Sequence, residues 1–113
     1  MEYEAAFPRV LYESERSADE MADKGYLSHS SVEFQDGTQY AIFVTDPEFL
    51  RQDIELDFKS NEGISGHVAL IVVPQVTRAT VEAAVKKLAT QGYFKGLKPL
   101  KSWSAKGPVY EDY

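Results

Sequence analysis

Two histidines, His29 and His67, are the side chains of this sequence best suited to general acid–base work or to metal ligation. Both fall where a strand is expected to begin. Ser30 and Ser31 follow His29, and a hairpin pairing residues 28 and 45 would bring Asp46 and Glu48 close to it. A histidine–serine–acid cluster is therefore one arrangement to test. The context argues against it, because a serine nucleophile sits on a sharp turn beside oxyanion donors and the sequence has no such elbow. Metal binding needs three or four converging ligands, and no histidines recur at i, i+2 or i, i+4. Ordinary strand-end hydrogen bonding is the expected role of both, with no catalytic residue, metal or cofactor assigned.

Other chemistry-bearing groups read the same way. Asp53, Glu55 and Asp57 alternate along a short stretch, which on a strand would line carboxylates on one face. Paired carboxylates can cleave glycosides, but a solvated outer face accounts for these with fewer assumptions. Gly63, Gly66, Gly92 and Gly96 lack the strand-to-helix spacing of a phosphate loop. Lys95, Lys98, Lys101 and Lys106 interleave with Phe94 and Trp103, a mix able to stack on single-stranded nucleic acid. A net charge of −6 works against nucleic acid, so pairing with acids elsewhere in the chain is expected instead. His29, Tyr40, His67 and Trp103 are the residues expected to line any ligand or partner site, should one lie between the sheet and its cover.

The elements that position these groups are organised around residues 66–73. The run Val68-Ala69-Leu70-Ile71-Val72-Val73, closed by Pro74, predicts an interior strand apolar on both faces. Asp36-Gly37 between two β-rich runs predicts a hairpin of about 28–35 and 38–45 with a two-residue turn, setting Val32 opposite Ala41 and Phe34 opposite Gln39. Asp46-Pro47-Glu48 is a helix start. The alternation at Ile54, Leu56 and Phe58 suits a strand better, since on a helix these groups would spread over roughly 200° of arc. The expectation is a helical turn over 47–52 and a third strand over 53–59, with a continuous helix from 47 as the alternative. Ser14 or Ser17 can cap a short helix ending at Gly25, and Thr77 or Thr80 a longer one over 78–91. The segment around Phe7–Tyr12 ahead of the first helix suits an edge strand or an apolar arm on the core, and an irregular tail over about 95–113 is expected to dock on the body.

These elements predict one α+β domain over residues 1–113: an antiparallel sheet of about four strands, a principal C-terminal helix on one face and a short N-terminal helix. One sheet face then lacks cover, which the arm, the tail or a second copy of the chain would supply. At 113 residues without cysteine, such a domain must be stabilised by its core alone. The acidic start carries no leader-like apolar run, and no stretch is long enough to span a bilayer, so a cytoplasmic location is expected.

Charge is unevenly placed. Residues 1–62 hold fifteen acids against five bases, and residues 63–113 hold three against seven, giving −10 and +4. Internal pairing would absorb this asymmetry. An acidic face that steers a basic partner is the other use of it. The function expected is a non-enzymatic protein–protein interaction module of adaptor, regulator or antidote type. The alternative is a small-molecule-binding protein or small enzyme with its pocket between the sheet and the segments covering it.

Overall fold

Alternating apolar residues on either side of Gln35-Asp36-Gly37 build the centre of the fold. The computed structural model describes residues 7–60, 69–105 and 107–111. In chain order its elements are β1 (Arg9–Leu11), α1 (Glu15–Lys24), β2 (Tyr26–Glu33), β3 (Gln39–Thr45), α2 (Pro47–Ser60), β4 (Leu70–Val72), α3 (Arg78–Thr90), a 3-10 turn (Tyr93–Gly96), β5 (Leu100–Ser104) and β6 (Gly107–Tyr110). The sheet runs β1-β2-β3-β4, with β5 and β6 as a separate two-stranded ribbon. The fold is α+β, as expected, but the sheet is mixed: β3 and β4 are parallel.

The hairpin pairs one residue away from the expected register. Val32 lies opposite Tyr40 and Glu33 opposite Gln39, because the turn has three residues rather than two. The Gly37 N–H donates to Phe34 O and the Phe34 N–H to Thr38 O, both at 2.9 Å. Gly37 takes a φ of 88° that glycine alone adopts without cost. In this register Val32 and Phe34 fall on the same face as Tyr40, Ile42 and Val44, while Tyr26 and Phe43 lie on the other. Val32, Ile42 and Val44 are buried there with Met21 of α1 and with Val81 and Val85 of α3. An irregularity between Leu27 and Ser30 adds a second adjustment. Two residues, Ser28 and His29, stand against one on β3, which is a bulge. It returns Leu27 to the core face alongside Val32.

The helix starts follow the sequence closely. Ser14 caps α1, accepting from the Ser17 N–H, and Gly25 stops it at a φ of 82°. A β-carbon on Gly25 would come within 2.9 Å of the Asp46 carboxylate and 3.2 Å of Phe49 Cβ, so the glycine also lets α2 approach. Thr77 and Thr80 form a reciprocal capping box for α3. Phe94 returns to the core past Gly92 and is buried. Arg78 ties α3 to α1 through Glu15 at 3.1 Å and Asp19 at 3.3 Å, and its guanidinium lies over the Tyr12 ring.

Three expectations are corrected. Residues 53–59 are not a strand but the second half of α2. The Asp46 carboxylate accepts the Phe49 N–H at 2.7 Å, and Arg51 bridges Glu48 and Glu55 at 2.7 and 3.2 Å. Capping and side-chain pairs of this kind support a helix, and α2 adds a half-buried side at Phe49, Leu50 and Ile54 but no fully buried residue. Secondly, the 66–73 spine is not an interior strand. Within the described residues only 70–72 is strand, and it is the border of the sheet, with Val72 47% exposed. Both errors have one cause: once α2 is a helix, β3–α2–β4 is a crossover, which brings β4 alongside β3 in parallel. Thirdly, the tail is not irregular, since β5 and β6 pair as an antiparallel ribbon and β5 packs on β3. Phe49 stacks on Tyr26 at 4.5 Å and faces Phe43 at 6.4 Å, adding cover on the sheet side opposite the core. No helix among the described residues is long and apolar enough to cross a membrane.

Two tests follow from packing. The Thr45 hydroxyl is fully buried and lacks a hydrogen-bond partner. Replacing it with a methyl of similar shape, Thr45→Val, is expected to raise stability by about 1 kcal/mol in denaturant unfolding. The Tyr12 hydroxyl donates to Glu82 at 2.9 Å, and burial, reinforced by that carboxylate, pushes its pKa well above the ordinary 10.0. A raised folded pKa means this stabilisation is complete below pH 10.0 and drains away as pH climbs through the folded value. Tyr12→Phe should therefore lose less stability than the wild type between neutral and strongly alkaline pH; equal slopes would exclude the linkage.

Candidate functional site

His29 occupies the bulge at a φ of 54°, a conformation that costs a β-carbon-bearing residue about 1–2 kcal/mol. Its exposed ring has Nδ1 3.3 Å from Ser28 Oγ and sits 5.3 Å from the ring of Trp103 on β5. A shallow hollow of about 240 Å³ opens beside it, lined by Glu13, Ser17, Lys24 and Tyr26 among others. The histidine–serine–acid cluster is not assembled. Ser30 donates to Ser28 O, Ser31 donates to Gln39, and Asp46 is spent on capping α2. Among the described residues no group of three or more acids and histidines is placed to hold a metal ion. His67 lies outside the described residues.

Of the other residues singled out from sequence, Tyr40 lies elsewhere. It faces the core side of the sheet, away from Phe43 and the Phe49 stack, and lines a cleft of about 400 Å³ between the hairpin turn and the end of α3. His29 and Trp103 thus meet, and Tyr40 does not join them. Three rings make the wall of the cleft. Phe34 stands edge-on to Tyr40 and to Phe94, both at 5.6 Å, and Tyr40 lies 5.7 Å from Phe94. Asp36 and Lys95 supply opposite charges at its margin. The Thr38 N–H donates to Asp36 Oδ1 at 2.9 Å, which holds that carboxyl below its ordinary range. Sequence reasoning did not collect Phe34, Phe94 and Lys95 into one site. Their signal was the turn at Gly37 and the helix stop at Gly92, but a register one residue off left Phe34 opposite Gln39 rather than next to Tyr40.

The carboxylates of α2 separate on a helix. Asp53 and Asp57 fall on one side, four residues apart, while Glu55 is engaged by Arg51 on another. The apolar groups separate too. Phe49 packs on Tyr26, Leu56 is 62% exposed seven residues further on, and Phe58 is 49% exposed at the end of the Leu50–Ile54–Phe58 row. Arg78 meets Glu15 and Asp19, while Lys86, Lys87, Lys95 and Lys101 make no ion pair among the described residues. Internal pairing of the lysines with the acidic half does not extend to these four. No family model, curated protein or solved structure matches the chain.

His29→Gly tests whether the bulge is strained for function or merely tolerated. Glycine accepts the positive φ, so the variant should be more stable by about 0.5–1 kcal/mol. Its Trp103 fluorescence should shift as the ring contact disappears. A loss of stability on heating would mean that the His29–Trp103 contact outweighs the strain.

Proposed function

We propose that the protein is a non-enzymatic interaction module whose binding element is α2, acting as an adaptor, regulator or antidote toward a basic protein. The observation that carries this is a fourteen-residue helix with no buried residue and with Leu56 and Phe58 exposed on different sides. A helix of this length is marginal alone in water, and here capping, surface ion pairs and a half-buried side carrying Phe49, Leu50 and Ile54 sustain it while Leu56 and Phe58 stay exposed. Apolar groups on two sides suit insertion into a groove on a partner better than contact with a flat patch. Burying each would contribute about 1.5–3 kcal/mol to the complex.

Charge supports a basic groove over a second copy of the chain. Glu48, Asp53, Glu55 and Asp57 on α2 outnumber Arg51 and Lys59, so two copies of the helix would meet with like charges. The acidic first half of the chain would speed encounter with a basic surface. The second reading, a small-molecule-binding protein, is favoured by the aromatic cleft on the core side of the sheet.

The double substitution Leu56→Ser, Phe58→Ser tests the interaction module. Since both side chains are exposed, folding stability should change by no more than about 0.5 kcal/mol. A photo-crosslinker at position 56 should capture one basic protein in the source cell, and one at Lys87 should not. The double variant should lose that protein. Equal capture from both positions, or a double variant that unfolds, would contradict α2 as the binding element.

A further inference from the structure

We propose that the cleft between the β2–β3 turn and the end of α3 binds a small aromatic carboxylate, a proposal that rests on the small-molecule reading. Phe34, Tyr40 and Phe94 line the space and pack on one another at 5.6–5.7 Å, a cluster against whose accessible part a further aromatic ring can pack. Its volume of about 400 Å³ falls in the range of small-molecule sites. The polar groups decide the ligand's charge. The Lys95 ammonium has no ion pair or hydrogen bond among the described residues, and the Tyr40 hydroxyl likewise has no hydrogen-bond partner there. Both are donors, and an ammonium bond to a carboxylate is charge-assisted. Asp36, the one acid on the margin, already accepts the Thr38 N–H and closes its own turn. Among the lining residues the charged groups are Lys95 and Asp36 alone, and of the two it is the ammonium that has no partner among the described residues.

The cleft is separate from α2. Phe34 and Tyr40 belong to the core side of the sheet, while α2 meets the sheet through Phe49 on the other side. Ligand binding can therefore be measured without disturbing the helix assigned to the partner.

Amide NMR of the full-length protein titrated with phenylacetate, phenethylamine and cyclohexylacetate tests the proposal. Phenylacetate should move the signals of Phe34, Tyr40, Phe94 and Lys95, and the other two compounds should bind more weakly. Lys95→Met, an exposed position whose loss leaves the fold intact, should weaken phenylacetate by about tenfold, one power of ten in Kd. Ala89→Leu adds bulk to the cleft wall from a helical position and should abolish binding. A preference for the amine, or unchanged affinity in Lys95→Met, would overturn the ligand class while leaving a small-molecule site in place. Signals that move at His29 and Trp103 instead would overturn the cleft. No binding by any of the three would overturn both the proposal and the small-molecule reading.

Discussion

A single residue of offset at the Gln35-Asp36-Gly37 turn decides which side chains of the sheet are inside. Side chains alternate along a strand, so a slip of one residue in one strand moves its whole apolar set to the other face. With three residues in the turn, Val32 and Phe34 share a face with Tyr40, Ile42 and Val44. The bulge at Ser28 and His29 then makes the compensating correction further along, returning Leu27 to that face. Much of the rest depends on this pair of adjustments. α1 and α3 pack on the face so formed, and the aromatic cleft is the part of it that the end of α3 does not cover. The bulge is also what places a histidine at positive φ beside Trp103.

How much of this was legible in the sequence depends on whether the signal was local. Ser14, Gly25, Asp46, Pro47 and Thr77 each act on backbone groups within four residues, and each marks the helix boundary it suggested. Phe94 turned inward past Gly92 for the same reason. The hairpin was legible in existence but not in register, because Asp-Gly serves both two- and three-residue turns and the difference lies in the hydrogen bonds of Phe34 and Thr38. Residues 53–59 were misread because alternation at Ile54, Leu56 and Phe58 was weighed as burial. On an exposed helix nothing forces apolar groups onto one side, and Arg51 with its two glutamates outweighs the pattern. That one misreading carried the placement of the 66–73 segment with it. Of the candidate site, the contact of His29 with Trp103 and the place of Tyr40 in the cleft both depend on pairings distant in sequence, which no local signal reports.

The chain divides its unusual features between the two sides of the sheet. The core side holds the cleft with the Lys95 ammonium, which has no ion pair among the described residues. The other side holds Phe49, the acidic helix it anchors, and the exposed groups Leu56 and Phe58. The two readings of function therefore do not compete for the same residues. Charge is unevenly divided as well, −10 over residues 1–62 against +4 over 63–113. Arg78 is the cation that links the two halves among the described ion pairs, and it does so on the surface between α1 and α3.

The Tyr93 hydroxyl donates to the carbonyl oxygen of Leu70, at 2.9 Å. β4 borders the sheet, and a border strand offers unsatisfied backbone groups to any extended peptide that drifts past. Here a phenol from the same chain stands where a neighbouring strand would begin to zip on. A strand from another molecule could reach that carbonyl only by displacing the phenol, so one acceptor on this border is already engaged from beyond α3.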